Sequence, residues 1–175
     1  MAATFLVIGL GRFGTSLALR LMDNGSEVMV LDSDEELVSR IAPQVTQAKV
    51  GDCMDEEVLR SLDPASFDFS FVCISLSFQA SMETTSLLKE LGAPMVVAKA
   101  DRDIHARLLL KIGADEVVFP ERDMAARAAM RFSVNGALEY IELAPGYAIM
   151  ELDVPDHWAG QTILDLDIRK RWNVN

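Results

Sequence analysis

The chain has 175 residues, half of them hydrophobic and a quarter charged, with a formal net charge of −11. That length allows one ordinary domain with a small appendage, and the composition excludes a disordered chain. The acidic balance excludes a nucleic-acid binder, because phosphate contacts need a concentrated basic surface and the longest basic run is Arg169-Lys170-Arg171.

The first predicted strand, Phe5–Ile8, stops on Gly9-x-Gly11-x-x-Gly14 and runs into a helix near Phe13–Asn24 with an apolar face at Phe13, Leu17 and Leu21. An apolar strand that breaks into three glycines at this spacing and enters a helix is a dinucleotide-binding turn: Gly9 permits the tight turn, Gly11 lets the backbone approach a pyrophosphate, and Gly14 lets the helix pack close to the sheet. The alternative is a Rossmann-like sheet whose glycines serve packing alone. The second strand, Glu27–Leu31, ends on Asp32 and Ser33, with Asp32 eighteen residues after Gly14. A carboxylate there takes ribose hydroxyls and repels a 2′-phosphate.

A helix over Glu35–Ile41 follows, with Asp34 as its N-cap, then a third strand, Gln47–Val50, and the turn Gly51-Asp52-Cys53. Gly51-Asp52 is expected to lie along a base, with Cys53 following as a further cofactor-binding candidate, although Asp52 alone reads equally well as a turn residue ahead of the N-cap Asp55 of the next helix, Glu56–Leu62. The fourth strand, Phe69–Ser75, leads through Ser75, Ser77, Gln79 and Ser81 into a helix over Gln79–Leu91. Helix capping accounts for part of that polar run, and proximity to the glycine turn for the rest. The fifth strand, Met95–Lys99, delivers Lys99 and Arg102 ahead of a helix over Ile104–Ile112, and the sixth, Glu116–Phe119, delivers Pro120-Glu121-Arg122 ahead of a helix over Arg122–Val134. Gly92 and Gly113 end helices in the left-handed cap position. Strict strand–helix alternation predicts a Rossmann-like, doubly wound parallel α/β sheet covered on both faces. Its ligand lies beyond the carboxyl ends of the strands.

The pattern changes after Asn135-Gly136, which divides the chain into a nucleotide-binding domain over 1–135 and the beginning of a small α+β lobe over 136–175. Strands Leu138–Leu143 and Ala148–Val154 flank the turn Ala144-Pro145-Gly146-Tyr147, and an apolar set follows at Ile163, Leu164, Leu166 and Ile168. The forty residues of this tail are too few to close a β-rich domain unaided, so the lobe is expected to be incomplete.

Arg12 occupies a variable position of the glycine motif, in the first helical turn, where the helix dipole disfavours a cation. A cation placed there against that cost points to an anionic partner, such as a distal phosphate or a neighbouring carboxylate; the bland alternative is a solvated arginine. Catalytic equipment is thin: His105 and His157 lack metal-ligand spacing, and nothing resembles a Tyr-x-x-x-Lys or a Ser/His/Asp arrangement. The pocket is expected to sense a nucleotide without transforming it. An NAD-dependent oxidoreductase, a free-standing NAD(H) sensor and a bare dimerisation module stay open as competing classes. Cys53 and Cys73 make no disulfide framework, no apolar run spans a bilayer, and the first residues run straight into a strand with no signal peptide, so a soluble intracellular protein is expected.

Val7-Ile-Gly-Leu-Gly-Arg-Phe-Gly14, Val50-Gly-Asp52, Gln79-Ala-Ser81 followed by Leu87-Leu-Lys-Glu-Leu-Gly-Ala93, Ala98-Lys-Ala100, Leu110-Lys-Ile-Gly-Ala-Asp115 and Phe119-Pro-Glu-Arg-Asp-Met-Ala125, taken together and in order, resemble the RCK domain of the TrkA-N type. This is the regulator-of-K+-conductance module of bacterial Ktr/Trk potassium uptake systems. The resemblance covers residues 3–135, and Leu143 through Leu164 resembles the start of that family's C-terminal lobe. It implies a non-enzymatic cytosolic gating subunit that forms homodimers and an octameric ring, docks at the inner face of the membrane beneath a potassium-translocating subunit, and changes shape with ATP, ADP or NAD(H). Carried over by position, the family's phosphate-sensing arginine falls on Arg12, its ribose aspartate on Asp32, and its acidic residue near the phosphates and a divalent cation such as Mg2+ on Glu121.

Overall fold

The computed structural model describes residues 2–74, 77–133, 137–144 and 147–172. The chain divides into two compact units, Met1–Glu121 and Arg122–Asn175. The first is built on strands β1 (Thr4–Ile8), β2 (Glu27–Asp32), β3 (Gln47–Val50), β4 (Phe69–Val72), β5 (Val96–Lys99) and β6 (Glu116–Val118). They alternate with helices α1 (Arg12–Asp23), α2 (Glu35–Ile41), α3 (Glu56–Arg60), α4 (Phe78–Glu90) and α5 (Asp103–Lys111), and α6 (Pro120–Ser133) begins in this unit and continues into the second.

All six strands are parallel, in the order β3-β2-β1-β4-β5-β6. This is the doubly wound arrangement, with the order reversing between β1 and β4. The central strands are nearly pure apolar runs because a parallel sheet buries both faces. Alternation along β1 assigns its residues to two cores. Leu6 and Ile8 join Leu59, Leu88, Val96 and Leu109 from the α3–α5 side, while Phe5 and Val7 join Ala18, Val38 and Ile41 from the α1–α2 side.

Local chemistry sets the element ends. Asp34 accepts from the N–H groups of Glu36 and Leu37, and Asp55 from those of Glu57 and Val58, so both act as the expected N-caps. Gly92 (φ +83°) and Gly113 (φ +114°) take the left-handed conformation after α4 and α5. The strand expected over Phe69–Ser75 is shorter than the sequence pattern implied. The Cys73 N–H still donates to the Ile8 carbonyl at 2.7 Å, but β4 itself ends at Val72. The reason is the glycine turn: a Cβ at Gly9 would lie 3.1–3.2 Å from the Cys73 carbonyl and the Ile74 nitrogen, so the turn crosses the strand end and stops the ladder. Ser75 lies outside the described residues.

In the second unit β7 (Ala137–Ala144) and β8 (Tyr147–Leu152) pair antiparallel, with Ile141 opposite Ile149, as the alternation predicts. The middle of the expected turn, Pro145-Gly146, lies outside the described residues. Two short helices follow, α7 (Ile163–Leu166) and α8 (Ile168–Trp172), separated by Asp167 at φ +45°. Of the apolar set expected there, Leu166 is buried, whereas Ile163 and Leu164 are 77% and 88% exposed.

Candidate functional site

The carboxyl ends of β1 and β4 meet at the reversal of strand order, and the glycine turn sits there. Gly9 adopts φ +95° and donates its N–H to the Leu31 carbonyl at 2.9 Å, tying the turn to β2. Gly14 faces inward: a Cβ there would lie 1.9 Å from the Gly9 carbonyl oxygen, so no other residue fits without moving backbone. Gly11 is the opposite case. A Cβ at Gly11 would meet nothing within 4 Å, so steric packing does not demand a glycine at this position. Gly11 is also the N-cap of α1, and no side chain caps the helix there. The first N–H groups of α1 therefore face an open approach with no side-chain acceptor, which is the physical requirement of an anion-binding helix N-terminus. Phe13, next in the motif, is half-buried and packs against the core around Phe5 and Val7, whereas Arg12 is exposed.

Asp32 is held rigidly beside this turn. Its Oδ2 accepts from the Leu10 N–H at 2.5 Å and its Oδ1 from the Asp34 N–H at 2.9 Å, which leaves one lone pair on each oxygen for further donors. Ser33 is exposed between Asp32 and the N-cap Asp34. The Asp32 carbonyl accepts from Gly51 N–H at 2.9 Å, which sets the Gly51–Cys53 turn beside it. Asp52 Oδ1 accepts from Met54 N–H at 2.9 Å, a local turn contact. Cys53 is half-buried, its carbonyl accepts from the Thr84 hydroxyl at 3.2 Å, and burial pushes its thiol pKa up. Burial pushes the Cys73 thiol up to about 12, so neither cysteine is a thiolate near neutral pH.

Across the sheet, Lys99 and Glu121 come together. The Lys99 side chain is only 8% exposed, and its Nζ donates to Glu121 Oε1 at 2.7 Å from the end of β5 to the first turn of α6. The Lys99 hydrogen bond holds the Glu121 carboxyl below the usual carboxylate range, and the Arg12 guanidinium adds to the effect through its field. Arg102 stands apart from this pair, an exposed side chain with Nε 3.7 Å from Asp101.

One residue at this edge was not singled out by sequence reasoning. His105, in the first turn of α5, is 5% exposed. Its Nδ1 lies 3.4 Å from Asp101 Oδ1, and its ring packs against Phe78 at 4.8 Å. Its Nε2 is buried with no hydrogen-bond partner among the described residues. The i, i+4 spacing of Asp101 and His105 was visible in the sequence, but nothing local marks the histidine as buried or places Phe78 over it.

The TrkA-N domain family matches residues 5–120. The Ktr system potassium uptake protein C of Bacillus subtilis is 45% identical over 175 residues, which cover all of this chain and 79% of that protein. The Ktr system potassium uptake protein A of Vibrio alginolyticus is 39% identical over 95% of this chain and 76% of its own length. Among solved structures, the GsuK channel bound to NAD has a TM-score of 0.71 at 18% identity, covering 98% of this chain and 31% of that one. The Shewanella denitrificans Kef C-terminal domain in its AMP-bound form has a TM-score of 0.61 at 18% identity, covering 75% of this chain and 82% of that one. At such identities the structural likeness speaks for the fold. The family match runs from β1 to the first residue of α6, across the unit that carries the glycine turn, Asp32 and Lys99, and the chain belongs to the TrkA-N domain family.

Proposed function

We propose that the chain is a nucleotide-binding regulatory subunit that gates a membrane potassium-translocating partner through a ligand-dependent change in the geometry of its own dimer. The observation that carries this reading is the uncapped, sterically open N-terminus of α1 at Gly11, with Arg12 beside it and a pre-positioned Asp32 across from it. The Ktr relatives, potassium uptake proteins by name, supply the setting. Solved relatives of the same fold bind NAD or ADP.

In this reading the backbone N–H groups of Gly11–Gly14 receive phosphates, and the free lone pairs of Asp32 accept from ribose hydroxyls, with Ser33 alongside. The Asp52–Cys53 turn and Arg102, at the ends of the neighbouring strands, complete the site. Bound ATP or ADP, or NAD(H), supplies the phosphate charge that the site distinguishes. Arg12 pairs with a terminal phosphate that ADP lacks, since a charge-assisted hydrogen bond to phosphate is strong and specific. Glu121 offers one carboxylate to a divalent cation such as Mg2+, which fits a site completed by phosphate oxygens, because that ion is commonly held by one or two carboxylates plus phosphates. A ligand with different contacts in two dimer geometries shifts their populations, which is the gating step.

The organisation that goes with this function is a nucleotide-binding domain over 1–135 and the beginning of a second lobe over 136–175. Homodimers assemble into an octameric ring at the cytoplasmic face of the membrane, with no nucleic-acid partner and no catalytic step. The test is a thermal-shift panel with ATP, ADP and NADH, since a ligand that binds the folded state raises the melting temperature by mass action. A shift with an adenine nucleotide is expected. A shift with NADH alone favours the NAD(H)-sensing alternative, and no shift with any of the three overturns the reading.

A further inference from the structure

Helix α4 buries two neighbouring threonines, and their hydroxyls do different things. Thr85 follows the habit of a helical threonine: its hydroxyl donates to the Ser81 carbonyl, four residues back, at 2.7 Å. The Thr84 hydroxyl leaves the helix and donates to the Cys53 carbonyl at 3.2 Å, across 31 residues of chain. Both residues are fully buried. A buried hydroxyl costs free energy unless it is hydrogen-bonded, and valine has nearly the same shape without that cost. What threonine adds at position 84 is therefore the bond to Cys53.

The turn that receives this bond, over residues 51–54, is held on several sides. Gly51 N–H donates to the Asp32 carbonyl at 2.9 Å, which fixes the start of the turn to the end of β2. A Cβ on Gly51 would lie 2.8 Å from a Val58 methyl and 3.3 Å from a Leu31 methyl, so α3 and β2 close on it from behind. Beyond Gly51 the other bonds of the turn are local. Asp52 Oδ1 accepts from Met54 N–H at 2.9 Å, and the Asp52 carbonyl from Asp55 N–H at 3.2 Å. Local bonds shape a turn without placing it. Among the described residues, the hydrogen bond from Thr84 alone ties the second half of the turn to a distant element.

We propose that Thr84 is a positioning residue of the nucleotide site: its hydroxyl locks the turn over 51–54 in place before the base arrives. The proposal rests on the nucleotide reading above, in which the Asp52–Cys53 turn completes the site. Ordering a loop at the moment of binding costs affinity, and a turn ordered beforehand avoids that cost. Thr84 is itself fully buried, so it acts through the turn and not by contact with the ligand.

The experiment pairs amide hydrogen exchange of the ligand-free protein with ATP titration calorimetry, on the full chain of the wild type, Thr84→Val and Thr84→Ser. Thr84→Val keeps the shape and removes the donor. Exchange of the Met54 and Asp55 amides is expected to speed up about tenfold, and ATP affinity to fall about tenfold. Thr84→Ser restores the donor and brings both back towards the wild type; a packing role would not do this, since serine lacks the methyl group. Should Thr84→Val not fold, Thr84→Ala removes the same hydroxyl and is read in the same way. Three results overturn the proposal: unchanged exchange at Met54 and Asp55, exchange that speeds up equally throughout α3 and α4, or an ATP affinity in Thr84→Val within about twofold of the wild type. Absence of ATP binding to the wild type would instead mean that the nucleotide reading itself had failed, and the exchange measurement would still decide whether Thr84 holds the turn.

Discussion

The two ends of the parallel sheet treat their charges in opposite ways. At the amino end every charge that matters is consumed by structure. Asp68 Oδ2 accepts from the backbone N–H and the hydroxyl of Thr4, at 2.8 and 3.0 Å, which ties β4 to β1. Asp115 Oδ2 accepts from Val96 N–H at 2.7 Å and from Lys89 Nζ at 3.0 Å, and Lys89 also reaches the Ala93 and Pro94 carbonyls. At the carboxyl end the first helix is uncapped, Arg12 stands exposed against the dipole, His105 Nε2 is unpartnered among the described residues, and Glu121 is only half used. Both ends carry similar residue types on similar turns. Satisfied polar groups rigidify a fold, and unsatisfied ones retain capacity for a further partner.

The glycines break this comparison most sharply. Gly14→Ala is expected to destabilise the protein by about 3 kcal/mol, since its Cβ collides with the Gly9 carbonyl, whereas Gly11→Ala leaves stability within about 0.5 kcal/mol and removes the nucleotide-induced rise in melting temperature. Chemical denaturation with and without ATP separates the two; equal loss of stability in both variants would show that Gly11, too, is there for packing. Asp32→Ala comes next. It strips the acceptor from the part-buried Leu10 N–H and should cost about 2 kcal/mol before any ligand is considered, so its unliganded melting temperature falls as well as its nucleotide affinity.

Arg12→Ala belongs wholly to the carboxyl end. Because the side chain is exposed and makes no ion pair or hydrogen bond among the described residues, the melting temperature should stay put while the preference for ATP over ADP drops by about tenfold, with ADP affinity retained. Unchanged discrimination in calorimetry would remove Arg12 from the phosphate site. The smallest effect lies at the amino end. The Val96 N–H, helped by Lys89, holds the Asp115 carboxyl below the usual carboxylate range, and the Thr4 N–H and hydroxyl do the same for Asp68. A carboxylate whose folded pKa is depressed contributes stability above its unfolded pKa, near 4, and loses it as pH falls through the lower folded value. Melting temperature should therefore decline below pH 4, and Asp115→Asn should flatten that decline while lowering the neutral-pH value modestly.

The alternation of strands and helices, the caps at Asp34 and Asp55 and the glycine turn were all legible in the residues, because each depends on a periodicity or a steric demand within a few positions. The end of β4 was misplaced by that same local reasoning: Cys73 and Ile74 continue the apolar run of the strand, whereas the Gly9 turn, from a distant part of the chain, lies against the Cys73 carbonyl and the Ile74 nitrogen where the ladder stops. Of the site, Asp32 and the glycines were legible because the motif has a fixed spacing. Lys99 and Glu121 were each singled out in the sequence, yet their pairing depends on β5 and β6 being neighbours, and His105 passed as an ordinary helical residue until Phe78 and Asp101 were seen around it.

The sequence by itself therefore determined the fold class, the order of its units and the presence of a nucleotide-type turn, since hydrophobic period and glycine stereochemistry act over short stretches of chain. What the tertiary structure alone decided is which charges are spent and which are left available. That outcome depends on strand order and register, which bring Thr4 to Asp68, Val96 to Asp115, Leu10 to Asp32 and Lys99 to Glu121 across 19 to 64 residues of chain. No local pattern encodes those distances, because long-range pairing is settled by the burial of both faces of the sheet as a whole.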